Sequence, residues 1–339
     1  MQKEDIMRLD KLSLQKDYKP EDFAPVSDEI KEEQLNITAS TSYYKDAFRR
    51  LKQNKIAMIS LVVIVLFIVF AFIGPLFSPY TYDQQIRGDE NLGPSLKHLF
   101  GTDQLGRDLL VRVMVGSRIS IIIGIGSALI VLVIGSLYGA ISGLIGGLTD
   151  NIMMRIVEII YSLPDILIII LLQIVIKEPL QKAFDQGSIL GGFQKLGSGI
   201  VAIFIVYGLL YWVGMARIVR GQVLQLKQME YINAATALGA SKTRLILKHL
   251  LPNSIGTLIV TTMLQIPSAI FTESFLSFLG LGVQVPMASL GSLASEALNG
   301  IRSYPYRLLF PAVAISIIIL AFNLFGDGLR DALDPKLKK

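Results

Sequence analysis

The chain has no cysteine among its 339 residues. A disulfide framework, a thiolate metal site and a catalytic thiol are all excluded. It has two histidines, His98 and His249, too far apart in sequence for a local metal motif such as H-E-x-x-H. Charge is also scarce: Asp, Glu, Lys and Arg make up 17% of the chain, against about a quarter in a soluble domain. There is no G-x-x-x-x-G-K-[ST] loop. The nearest stretch, Gly192-Phe-Gln-Lys-Leu-Gly197, continues Ser-Gly and lacks the lysine that reaches nucleotide phosphates. No G-x-S-x-G element and no local cluster of metal ligands occurs. No catalytic residue, metal site or bound cofactor is therefore assigned to this chain.

What the chain has in excess is apolar sequence, 52% of residues with a mean hydropathy of +0.55, and it is clumped. Ile56–Gly74 is a 19-residue run without charge, and Ile119–Thr149 is another of 31. Runs of about 18 or more are the signature of membrane-spanning helices. A soluble globular enzyme is excluded. So is a membrane β-barrel, whose strands would show short alternating stretches. The net charge of +5 reads in such a protein as lysine and arginine left on the cytoplasmic side, not as a nucleic-acid footprint.

These features predict an all-α membrane protein. Residues 1–42 carry ten acidic against six basic residues and two prolines, a composition expected to stay disordered or loosely helical in the cytoplasm. Residues 43–55 read as an amphipathic basic helix: Tyr44, Phe48 and Leu51 share a face, with Arg49, Arg50, Lys52 and Lys55 at the lipid headgroups. Six spans are expected, near Ile56–Gly74, Ile119–Leu144, Ile152–Ile176, Ile200–Met215, Ile255–Leu276 and Leu308–Phe325, within a membrane domain covering 56–335. Pro75 and Pro79 end the first span, while Pro164 and Pro267 would kink the third and fifth. The second is dense in small residues, and Gly135 with Gly139 forms a small-xxx-small pair suited to close helix packing. With six spans both termini share a side. Placing them in the cytoplasm puts 22 of the 32 lysines and arginines inside, the last of them in the basic end 336–339.

Three carboxylates fall in or near spans. Glu158 lies one turn after Arg155 and can pair with it, Asp165 follows Pro164, and Glu273 sits near the outer end of the fifth span. Each is expected to be a paired or interfacial structural group. An ion-coupled secondary transporter would need a midplane carboxylate relay and internal repeats, and neither is evident.

The loop between the fourth and fifth spans, 217–253, is long and basic. Glu230–Leu238 reads as a short helix ended by Gly239. Ser241 can cap a second helix that runs to Leu251 and is stopped by Pro252. The product is a cytoplasmic knob whose small residues Ala234, Ala235 and Gly239 allow another protein to approach, with Arg244 and Lys248 one turn apart on its second helix.

This stretch, from Glu230 through Ala234, Ala235 and Gly239 to Leu251-Pro252, resembles the "EAA" coupling loop of ABC importer permeases. Phe100-Gly-Thr-Asp-Gln-Leu-Gly-Arg-Asp-Leu-Leu-Val-Arg-Val-Met-Val-Gly116 resembles the G-T-D-x-x-G-R-D-x-x-S-R block of the C-type permease of dipeptide, oligopeptide and nickel importers, with Val111 in place of serine. Phe278-Leu-Gly-Leu-Gly282 and the segment from Ala321 to Pro335 resemble that family's outer-loop and C-terminal signatures. Pro286-Met-Ala-Ser-Leu-Gly291 departs from its P-x-P-S-W-G.

The resemblance covers about 43–335. It implies a six-helix, type I importer permease fold and a translocation pathway formed with a B-type permease subunit. Two ATP-binding subunits, which hold ATP and Mg, would dock on Glu230, Ala234, Ala235, Gly239, Ser241, Arg244, Leu251 and Pro252. An extracellular substrate-binding protein would deliver the cargo, a peptide or alternatively nickel or another small solute. The outer-loop motif comprises Gly101, Thr102, Asp103, Gly106, Arg107 and Asp108. It is expected to form a loop that starts the second span, with Asp103 or Asp108 pairing Arg107 or Arg112. Asp327–Asp334 is expected to be a charged helix end.

The predicted topology can be checked directly, because single cysteines can be introduced into a chain that has none. In intact cells, a membrane-impermeant maleimide is expected to label position 90 or 299 and to spare positions 40 and 338. The reverse pattern would overturn the orientation.

Overall fold

The computed structural model describes residues 43–185, 197–283 and 286–333. The expectations for the tail 1–42, the basic end 336–339 and most of the Gly192–Gly197 stretch lie outside the described residues. The chain divides into a unit ending at Ala47 and one beginning at Phe48. All contacts below belong to the second.

Every regular element among the described residues is helical. Helix α1 is Tyr43–Gln53. Asn54 separates it from α2, Lys55–Phe72, and its side chain accepts a hydrogen bond from the Ala57 amide at 3.1 Å. A single 3₁₀ turn, Gly74–Phe77, closes α2 at Pro75. Then follow α3, Leu109–Ile145; α4, Gly147–Tyr161; α5, Asp165–Asp185; α6, Ser198–Leu210; and α7, Trp212–Leu226. The knob contains α8, Glu230–Ala237, and α9, 242–253. The chain ends with α10, Ile255–Phe278; the short α11, Leu290–Ala297; and α12, Tyr306–Leu333.

Five helices are long and apolar enough to cross a bilayer: α2, α3, the joined α6–α7, α10 and α12. The pair α4–α5, bent by 88°, makes a sixth if it is one broken span. Four expected spans differ in extent: the sixth runs eight residues past Phe325 to Leu333, and the other three differ for identifiable reasons. The second begins ten residues earlier, at Leu109. The arginines that delimited its apolar run are satisfied internally: Arg112 meets carboxylates, and Arg118 donates to the Ala71 and Phe72 carbonyls at the end of α2. The third is two helices instead of one kinked helix. Pro164 disfavours helical backbone at Leu163, and α4 closes at Ser162. The fourth continues eleven residues past Met215. Its charges are held, Arg217 over the Tyr161 ring at 3.7 Å and Arg220 by both oxygens of Asp150 at 2.6 Å.

Pro252 does not stop the knob's second helix either. The preceding turns, Leu245–Leu250, are π-helical, a wider winding that accommodates a residue lacking its amide proton, and the break falls at Ser254.

The packing centre is the seam between α3 and α7. Gly135, Gly139 and Gly143 recur every four residues on α3. A Cβ at Gly135 would lie 2.8 Å from the Trp212 carbonyl oxygen, and one at Gly143 3.0 Å from the Val223 Cβ. A Cβ at Gly139 would run into the Ala216 carbonyl oxygen. The small-residue stripe therefore lets two backbones of the same chain touch. Ile123, Val131, Ala140, Val206, Met215 and Val223 bury the surrounding core.

Gly139→Leu is expected to destabilise this seam by about 1–3 kcal/mol through overpacking. Gly214→Leu on α7, where a Cβ meets nothing within 4 Å, is expected to leave stability unchanged. Thermal unfolding of the two variants in detergent tests the contrast.

Candidate functional site

Three places carry polar residues that the fold has gone to some length to position: the loop before α3, the interior between α3 and α10, and the knob between α7 and α10.

In the first, Gly101 and Gly106 both adopt positive φ, +79° and +71°. These turns fold residues 101–108 back on themselves, with a single bridge pairing Thr102 and Asp108. Asp103, 2% exposed, accepts from the amides of Leu105 and Arg107 at 2.8 and 3.1 Å. It also accepts from Arg107 Nε at 2.6 Å and Arg112 Nη1 at 2.5 Å. Glu296 on α11 closes the other side, reaching Arg107 Nη2 at 2.9 Å and Arg112 through two bonds of 2.7 and 3.0 Å. Arg307 at the start of α12 donates to Asn91 Oδ1 and to the Glu296 carbonyl.

Both expected arginine partners are thus taken by Asp103. Asp108 serves elsewhere. One of its oxygens caps α3 at the Val111 amide, 3.0 Å away. The other lies 2.8 Å from Nδ1 of the buried His98, whose Nε2 is 3.4 Å from Asp89. Thr102 accepts from the Leu92 amide at 2.9 Å and donates to the Asp89 carbonyl. Asp103, Arg107 and Asp108 are buried, which supports a structural lock at the start of α3.

Burial alone pushes the Asp103 carboxyl pKa up. The charges of Arg112 and Arg107 and the two amides outweigh it and hold the group below its ordinary 3.8.

Sequence reading missed Glu296 and α11. Ser289 does form a capping box, but with Ser292 as its partner instead of the Glu or Gln that makes such boxes legible.

In the second place, Glu273 is wholly buried. Its carboxylate accepts from Ser120 on α3 and Ser277 on α10, both at 2.7 Å. The expected partner of a buried carboxylate is a cation; here hydroxyls do that work, tying α3 to α10. Arg155 and Glu158 pair at 2.8 Å on the surface of α4, as their spacing predicts. Asp165 starts α5 and is exposed.

In the third, Gly239 has φ +82°. The Ala240 amide bonds the Ala235 carbonyl at 3.1 Å, and the Gly239 amide bonds that of Thr236 at 2.9 Å, the paired closure of a Schellman motif. Ser241 Oγ then accepts from the Arg244 amide at 3.3 Å. Ile232 roots the knob against Ile246, Leu250 and Leu258. Glu230, Ala234 and Arg244 are exposed, Ala235 and Leu251 half-buried. Leu238, at 90% exposure, crowns the knob with apolar surface.

Among the described residues, five or six helical segments are long and apolar enough to cross a membrane, with a locked loop before α3 and an exposed knob between α7 and α10. The comparisons make the class specific. Residues 135–339 match the family described as the binding-protein-dependent transport system inner membrane component. Residues 42–94 match the N-terminal TM domain of oligopeptide transport permease C.

The chain is 48% identical to the oligopeptide transport system permease protein OppC of Bacillus subtilis, covering 88% of this chain and 92% of that protein. It is 48% identical to the dipeptide transport system permease protein DppC of the same organism, covering 88% of each. Against OppC of Escherichia coli K12 the identity is 42%, covering 87% and 92%. The chain belongs to the C-type permease family of ABC peptide importers.

Asp103→Asn is expected to cost about 3–5 kcal/mol, because it leaves buried arginine charge uncompensated. Since Asp103 titrates below its ordinary value, its stabilisation is complete above about pH 4. It is lost as pH falls below that toward the folded value. Unfolding followed from pH 6 to 3 should show the wild type losing stability in this window and the asparagine variant losing less.

Proposed function

We propose that this chain is the C-type transmembrane subunit of a bacterial ABC importer for oligopeptides or dipeptides, located in the plasma membrane. It spans six times with both termini in the cytoplasm. It forms the translocation pathway with a B-type permease subunit and receives cargo from an extracellular binding protein. It carries no catalytic machinery of its own; ATP and Mg are held, and ATP is hydrolysed, by two partner subunits. The names of the relatives support the cargo class, and the positive-inside bias supports the orientation.

The observation that carries the coupling role is the knob. It combines an exposed apolar crown at Leu238, a root packed into the core through Ile232, and direct continuity with two spanning helices, α7 and α10. Single exposed leucines are common. One seated on a rigid Schellman turn between two spans is placed to receive a force and pass it on. Closure of ATP-bound partners against this knob would tilt α7 and α10 and switch access from one side to the other. Pro267 within α10 is a point at which that span can bend, and the break before Asp165 is another, between α4 and α5.

Gly239→Val strains a positive-φ position by about 1–2 kcal/mol in open space, so the spans should still insert. Co-purification of the ATP-binding subunits and cargo-stimulated hydrolysis are expected to fall together. Reversing Arg244 and Lys248 to Glu should weaken docking in a salt-dependent manner. Normal recovery and normal stimulated hydrolysis for Gly239→Val would sink the coupling role.

A further inference from the structure

The spanning helices present two kinds of exposed face. On α2 and α12 large apolar side chains stand exposed, Ile59 at 64%, Leu66 at 61% and Leu320 at 59%, as lipid requires.

Helices α4 and α10 add polar positions to such a face. On α4, the exposed residues Asn151, Arg155 and Glu158 recur every three or four positions and so follow one side of the helix; past the 88° bend, Ser162 and Asp165 lie exposed at the break and at the start of α5. On α10, Thr257, Thr261, Gln265, Ser268 and Thr272 recur in the same way and fall within about 80° of arc at 100° per residue. Ser268 is exposed, the other four are half-buried, and Gln265 Nε2 has no hydrogen-bond partner. From Thr257 to Thr272 the α10 stripe rises about 22 Å, most of a hydrocarbon core of about 30 Å. Polar faces at that depth belong against water or protein, not acyl chains.

Polar positions of both elements come near Tyr211. Tyr211, stacked on Tyr207 at 4.3 Å, has the Thr272 hydroxyl beside it and the Asp165 carboxylate within electrostatic range. At the other end of the α4 stripe, a cavity of about 580 Å³ opens between α4 and α7, lined by Asn151, Arg155, Glu158, Arg217 and Arg220 with Met154 and Val157. That volume is of small-ligand size. Arg155 is paired with Glu158 and Arg220 with Asp150. Arg217 lies over the Tyr161 ring and has no carboxylate partner among the described residues, so its guanidinium edge is available.

We propose that this cavity and the two stripes are this chain's wall of a water-filled cargo path, in which Arg217 receives the carboxylate of a zwitterionic cargo. The inference rests on the importer reading above and names where its cargo passes. A headgroup site for anionic lipid would need charge at one end of the span only. It would not need polarity carried along α4 and α10 to Tyr211.

The test uses single cysteines in the otherwise cysteine-free chain, within the importer reconstituted with its partner subunits in liposomes. A hydrophilic, cationic methanethiosulfonate reagent is expected to modify positions 162, 261 and 268. It should modify positions 59, 66 and 320, exposed but apolar, at least about tenfold more slowly, because lipid excludes it. Arg217→Gln should weaken competition by a free-acid tripeptide about tenfold, the worth of one charge-assisted hydrogen bond. It should leave the C-terminal amide unchanged, and Arg217→Lys should restore part of the loss.

Protection of 162, 261 and 268 to the level of position 320 would overturn the path. So would their cross-linking to the partner permease without labelling, or labelling confined to position 155. Equal loss for free-acid and amidated peptide would overturn the role of Arg217. If the labelling pattern holds while the wild type takes up no peptide, the path stands and the cargo reading fails. If peptide is taken up and the stripes stay unreactive, the reverse applies.

Discussion

Much of this architecture depends on a guanidinium that water does not reach. Arg112 is 1% exposed near the start of a 37-residue helix, next to Asp103 on one side and Glu296 on the other. An isolated charge at that burial would cost several kcal/mol or more. The two carboxylates, themselves fixed by the turns at Gly101 and Gly106 and by the capping box of α11, make it tolerable. One cluster thereby joins four pieces of chain far apart in sequence: the loop before α3, α3 itself, α11 and the start of α12. With its end fixed in this way, α3 can present a strip of glycines to α7 and its serines to Glu273.

The same rule operates along the rest of the chain. Charges near the bilayer appear where a second polar group waits: Arg118 on the carbonyl end of α2, Arg220 on Asp150, Lys227 on the Gly143 carbonyl. Each lengthens a helix beyond its apolar run, because a satisfied charge no longer marks the end of a span. At Arg217, which has no carboxylate partner among the described residues, and at Gln265 Nε2, which has no hydrogen-bond partner, a second surface or water is implied. The knob follows the complementary logic, apolar Leu238 standing out of a basic segment.

How much of this was legible in the sequence follows from what each signal measures. Apolar runs located the spans because the transfer cost of a charge is local. They misplaced the ends of the second and fourth, because Glu296, which pairs Arg112 beside Asp103, and Asp150, which pairs Arg220, lie 184 and 70 residues away. The knob's first helix, its glycine turn and the Ser241 cap were legible, since capping is settled within four residues. The π-helical passage under Pro252 was not, because proline alone signals a stop. Asp103 was recognised as an arginine partner. Glu296 and His98 were not tied to the same loop, since nothing local in the sequence reports a contact between the α10–α12 connection and the loop before α3.

The central claim is that ATP hydrolysed on other subunits, not an ion gradient through this chain, drives cargo inward. The direct measurement is peptide accumulation in liposomes carrying this chain with its B-type partner, the two ATP-binding subunits and the binding protein, with ATP held constant and a protonophore present or absent. Accumulation that requires ATP and the binding protein, and that survives collapse of the gradient, is the predicted result. Accumulation that stops when the gradient collapses, or that proceeds without the ATP-binding subunits, would contradict it.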